Sequence, residues 1–71
     1  MIYPNPSSGQ FTIEGKNIQT IEVADITGKI IYSSLAFQTK HFVDISVQPK
    51  GVYYVKVTTN TGSTIKKIIL E

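Results

Sequence analysis

Apolar and polar residues alternate through most of this chain. In Gln10–Glu14, Phe11 and Ile13 fall on one side and Thr12 and Glu14 on the other. A period of two marks a strand with one buried face. Residues 18–25 repeat the pattern, with Ile21 and Val23 opposed to Glu22, and 41–46 set Val43 and Ile45 against Asp44. Residues 52–59 give the clearest strand, in which Tyr53, Val55 and Val57 share a face and Lys56 and Thr58 point away. Segments 29–34 and 63–70 are also strand-like. In the last of them Ile65 and Ile69 alternate with Ile68 and Leu70, so both faces are partly apolar, and Lys66 and Lys67 interrupt.

Turn signals separate these runs. They are Gly15-Lys16-Asn17, Asp25-Ile26-Thr27-Gly28, a loop over 47–50 leading to Gly51, and Asn60-Thr61-Gly62. The pattern assigns no state to the connection at 35–40. Ahead of the first strand, Tyr3-Pro4-Asn5-Pro6 cannot be helical, because a residue before proline is held extended and proline lacks an amide donor. Ser7-Ser8-Gly9 reads as a turn. Residues 1–9 are thus an extended lead-in or linker end, and 10–71 form the domain. Met1 reads as a start added to an excised fragment, and no charged or apolar leader pattern follows it.

Composition sharpens the fold class. Eleven Ile, 6 Val and 8 Thr make up 25 of 71 residues, against two Leu and two Ala. Branched side chains suit a pleated surface and lose rotamer freedom in helices. A helical bundle and a coiled coil are excluded, and no apolar run approaches the ~20 residues of a membrane-spanning helix. Six or seven short strands predict a small antiparallel β-sandwich, with an open barrel as the alternative. Its expected core is Phe11, Ile13, Ile21, Val23, Val43, Ile45, Tyr53, Val55 and Val57. The chain has no cysteine, so neither a disulfide nor a thiolate site supports it. A domain of ~60 residues buries only about 60% of its unfolded surface. That points to attachment to a larger partner domain.

Candidate chemistry is sparse. The one histidine, His41, would need a nearby acid to form a catalytic pair, but Asp44 lies three residues on and so on the opposite face of a strand. It is read as a surface histidine. One His and five scattered acids form no metal-ligand spacing. Asp25 and Asp44 stand beside turns, where an aspartate bonds nearby backbone amides. Gly28-Lys29 is no phosphate loop, since Val23 stands where the first glycine would be and Ile30 follows the lysine. Seven dispersed Lys with no Arg give a net charge of +2 and no basic stripe, so nucleic acid is not an expected partner. No catalytic, cofactor or metal site is expected, and the chain reads as a non-enzyme. One rival reading remains: a carbohydrate-binding or adhesive sandwich would use Tyr3, Tyr32 and Tyr54 as an exposed aromatic platform.

Four blocks carry a resemblance to a known family. They are Tyr3-Pro4-Asn5-Pro6-Ser7-Ser8-Gly9-Gln10-Phe11, then Ile21-Glu22-Val23-Ala24-Asp25-Ile26-Thr27-Gly28-Lys29, then Val43-Asp44-Ile45-Ser46 leading to Pro49-Lys50-Gly51-Val52-Tyr53, and finally Lys66-Lys67-Ile68-Ile69. In that order, over residues 3–71, they resemble the type A C-terminal sorting domain of the type IX (Por) secretion system of Bacteroidetes. The residues that match the family motifs are Pro4, Asn5, Pro6 and Gly9, the turn pair Gly28 and Lys29, Gly51 and Tyr53 of the Gly-x-Tyr element, and the basic pair Lys66 and Lys67. The chain departs from many members by ending Leu70-Glu71 rather than near a basic residue.

The resemblance implies an immunoglobulin-like sandwich that acts as a sorting signal at the C-terminus of an N-terminal cargo domain. It implies passage through the periplasm, export of the folded cargo by the outer-membrane translocon, and arrival at the cell surface or outside the cell. A sortase-like surface protease would then remove the domain, leaving cargo anchored or released. Structural duties are expected for the prolines, glycines and Tyr53, and partner contact for the lysines. The last strand is expected at a sheet edge with unpaired backbone groups, open to strand addition by a receptor or by a second copy in an edge-strand homodimer.

Overall fold

Seven strands pair into two antiparallel sheets in the computed structural model, which describes residues 2–36 and 38–71. Ile2–Tyr3 (β1), Gln10–Glu14 (β2) and Lys40–Asp44 (β5) form one sheet, in the order β1-β2-β5. Ile18–Ala24 (β3), Ile30–Leu35 (β4), Gly51–Thr59 (β6) and Gly62–Leu70 (β7) form the other, in the order β4-β3-β6-β7. No described residue is helical. The reading of Met1, and Phe37 in the unassigned connection, lie outside the described residues.

The alternation read from the sequence becomes burial. Phe11, Ile13, Ile21, Val23, Val43, Ile45, Tyr53 and Val55 are all buried between the sheets. Val57 is only half-buried and packs at the margin of this core. Ile18, Ala36, Ile68 and Leu70 complete it. The pairing register settles the ambiguous last strand. Ile68 stands opposite buried Tyr53, and Leu70 opposite Gly51. Directly opposed residues share a face, so Ile68 and Leu70 point inward, while Ile65 and Ile69 remain exposed.

Polar groups secure the corners. At the start of β6 the Tyr53 hydroxyl donates to the Pro49 carbonyl. This is the tyrosine corner of immunoglobulin-like sandwiches, whose sixth strand carries such a residue. Together with the strand order it assigns the sandwich to that class. At the β3–β4 turn, Asp25 Oδ1 accepts the Thr27 N–H at 2.9 Å, the Thr27 hydroxyl at 2.6 Å and the Lys29 N–H at 3.0 Å. Gly28 follows with φ +90, a conformation glycine adopts without steric cost. Asp44 repeats the device, accepting the Ser46 N–H at 3.0 Å and the Ser46 hydroxyl at 2.6 Å. Both aspartates do what their places beside turns foretold.

These bonds give an acid-sensitive stability. The Thr27 hydroxyl holds the Asp25 carboxyl below its ordinary value, with help from the Lys29 and Thr27 amides, and Ser46 does the same for Asp44. A carboxyl with a lowered folded-state pKa stabilises the fold above its unfolded value, and that stabilisation is lost as pH falls through the folded value. The melting temperature should therefore drop as pH descends below 3.8, the ordinary value for these groups. Asparagine keeps an acceptor oxygen but not the charge. The Asp25→Asn, Asp44→Asn double variant should show a shallower pH slope in that window; equal slopes would refute the account.

Candidate functional site

The lead-in segment connects the two sheets. Ile2 and Tyr3 pair with Ile13 and Thr12 of β2. The chain then leaves that sheet through Pro4 and Pro6 and lies along β7 of the other. Neither proline has an N–H to satisfy at the crossing. Beyond it the contacts become specific. The Asn5 amide donates to the Lys67 carbonyl at 3.1 Å and accepts the Ile69 N–H at 3.2 Å. The Ser7 N–H donates to the Ile69 carbonyl, and the Ser7 carbonyl accepts the Glu71 N–H, both at 2.8 Å. Ser7 thus forms a parallel bridge with Leu70. Asn5 supplies with its side chain what Ser7 supplies with its backbone.

Ser7 is buried, at 3% exposure. Its hydroxyl accepts the Gly9 N–H at 3.0 Å and donates to the Gln10 carbonyl at 2.9 Å. All its polar atoms are therefore satisfied, as burial requires. Gly9 returns the segment to the three-stranded sheet: its carbonyl accepts the N–H of Ile45, just past β5, at 2.7 Å. It has φ +120, and a Cβ there would stand 2.5 Å from Ser46 Cα. Sequence reasoning singled out Asn5 and Gly9 but missed Ser7. A buried serine has no periodic signature, and its position after the prolines was the only hint.

This geometry corrects the expected edge. β7 does flank its sheet, but the groups of Lys67, Ile69 and Glu71 are taken by Asn5 and Ser7. The remaining stretch, 62–66, has only β6 beside it. Lys66 stands opposite Val55 and Lys67 opposite Tyr54, on alternate faces, and both are exposed. Lys66, Lys67, Asn5 and Ile2 line a shallow depression. The first and last sequence blocks, joined by residues 62 apart in the chain, are here one surface.

The other blocks lie close by. Gly51 pairs with Leu70, the residue that Ser7 bridges. Asp25 of the turn that carries Gly28 and Lys29 lines a second depression with Pro49, Gly51 and Tyr53. Gly28 and Gly51 both have positive φ, and Tyr53 is in the core.

The tyrosines do not form a platform. Tyr3 belongs to the three-stranded sheet, while Tyr54 is exposed on the other. Tyr32 is half-buried, with its hydroxyl 2.8 Å from His41 Nε2. That contact also corrects the reading of His41 as a surface residue: it ties β4 of one sheet to β5 of the other. Asp44 lies on the opposite face of β5, exposed where Val43 and His41 are not.

The distinctive residues of this immunoglobulin-like sandwich set its turns and fasten its two ends together. Among the described residues no group of three or more His, Asp or Glu stands together to hold a metal. The chain belongs to the family of secretion system C-terminal sorting domains, whose model matches residues 1–71, its whole length. It is a sorting signal of type IX secretion and thus part of a secreted or cell-surface protein; the family is one of signals rather than catalysts. The chain is also similar to an uncharacterized protein of Saccharomyces cerevisiae, with 28% identity over 53 residues. That match covers 75% of this chain and 63% of the yeast protein.

Proposed function

We propose that the secretion machinery reads the surface where the lead-in segment lies on the final strand. Lys66 and Lys67 would contact the receptor, and Asn5, Ser7 and Gly9 would hold the shape that presents them. The cargo would be carried in its folded state from the periplasm through the outer-membrane translocon, and a sortase-like surface protease would separate cargo from domain afterwards. The domain is residues 10–71 with the lead-in fastened to it. The observation that carries this reading is the pair of Asn5 bonds to Lys67 and Ile69, which joins the first motif to the last. Two exposed ammonium groups on a rigid strand suit an acidic receptor surface, since rim charges steer association and register. Strand addition would be confined to 62–66, because Asn5 and Ser7 occupy the rest.

The test is a folded reporter fused to residues 2–71 in a Bacteroidetes host. The Lys66→Glu, Lys67→Glu double variant should melt close to the unaltered domain, because both side chains are exposed. Its export should fall by about tenfold, equivalent to ~1.4 kcal/mol of receptor binding. Unchanged export of a folded double variant overturns the proposal. The dispersal of Tyr3, Tyr32 and Tyr54 argues against the carbohydrate-binding alternative.

A further inference from the structure

The four outer edges of the two sheets are unequally protected. β1 is two residues long, β5 carries Lys40, His41 and Asp44, and β7 carries Lys66 and Lys67 and is covered by Asn5 and Ser7 over its last residues. Short, charged or covered edges resist the addition of another strand. β4 has none of these three features, and its one protection, a register irregularity against Val23/Ala24, is confined to its first end. It reads Ile-Ile-Tyr-Ser-Ser-Leu, without a charge or a proline, and only β3 flanks it. Its end residues Ile30 and Leu35 are 50% and 68% exposed.

We propose that β4 is a self-association edge, at which a second copy of this chain adds antiparallel and joins the two four-stranded sheets into one. The occupant follows from charge. Any antiparallel register of Ile30–Leu35 with its own copy sets no like charges opposite each other, and like charges directly opposed are destabilising. Pairing of β7 with its copy would gather Lys66 and Lys67 from both chains. The register irregularity at Val23/Ala24 distorts the first end of β4, so pairing centres on Ser33. A two-fold axis there sets Tyr32 opposite Ser34 of the second copy. Their partners on β3, Val23 and Ile21, are both buried, so the opposed residues share a face as antiparallel pairing demands. The homodimer expected at the last strand is thereby placed at the other end of the sheet.

Sedimentation equilibrium of the 71-residue chain tests this. So short an edge should give a weak dimer, with Kd on the order of 100 µM. Ser33 is exposed, and Ser33→Lys should raise Kd by at least ~tenfold. Ser63→Lys on β7 should leave it unchanged. A chain that stays monomeric to about 1 mM, as it would if the edge served only another protein's strand, overturns the proposal. So does a dimer lost in Ser63→Lys and kept in Ser33→Lys. Should Ser33→Lys fail to fold, amide shifts of the unaltered chain decide: concentration-dependent changes should fall on 31–35, and changes confined to 62–66 sink the idea.

Discussion

Gly9→Ala should largely unfold the domain. The new methyl would sit 2.5 Å from Ser46 Cα and 2.8 Å from Ser46 Cβ, so the obstacle is mainly backbone and cannot swing aside. The residue would also have to hold φ +120. Strain of that kind costs roughly 1–3 kcal/mol and an over-packed contact about as much again. Total stability for a chain of this size is roughly 4–10 kcal/mol. The melting temperature should fall by about 20 °C, at ~4–8 °C per kcal/mol, and export of a fused reporter should fall with it. Gly28→Ala is the matched control. It has φ +90 but nothing within 4 Å of its Cβ, so only the backbone cost of roughly 1–2 kcal/mol applies. Equal melting of the two variants would show that the contact with Ser46 is unimportant.

Asn5→Ala should release the lead-in from the last strand while leaving the core intact. Two hydrogen bonds disappear, each with a net value of about 0.5–1.5 kcal/mol, for a fall in melting temperature of roughly 5–15 °C. The Ile69 amide, which donates to Asn5 Oδ1, should exchange with solvent at least ~tenfold faster, reporting local opening. Asn5→Asp should do no better. Aspartate can accept from Ile69, but at neutral pH it cannot donate to the Lys67 carbonyl and sets a carboxylate against it. If the proposed surface is the one read, both variants lower export at temperatures where they remain folded. Unchanged protection of the Ile69 amide would show that Asn5 does not fasten the strand.

These two positions differ in how far the sequence reveals them. The prolines and Gly9 announce an irregular segment, but nothing local says what it touches. Asn5 and Lys67 are 62 residues apart, and Gly9 meets Ser46 only because β2 and β5 pair, with Gln10 opposite Asp44. Contacts of that range depend on which strands pair and what the lead-in lies against, which no local pattern encodes. His41 is a similar case, since a lone histidine on a strand carries no mark of a tyrosine on another sheet.

Local physics alone determined the fold class, every strand but the two-residue β1, and most of the core, because a two-residue period and β-branched side chains leave the backbone little choice. It also placed the Asp25 and Asp44 turns, whose bonds span only a few residues. The face of the last strand was undecided until pairing with β6 supplied a register. The closure of its edge was a matter for the tertiary structure too, because a strand's free side is defined by what the rest of the chain lays against it.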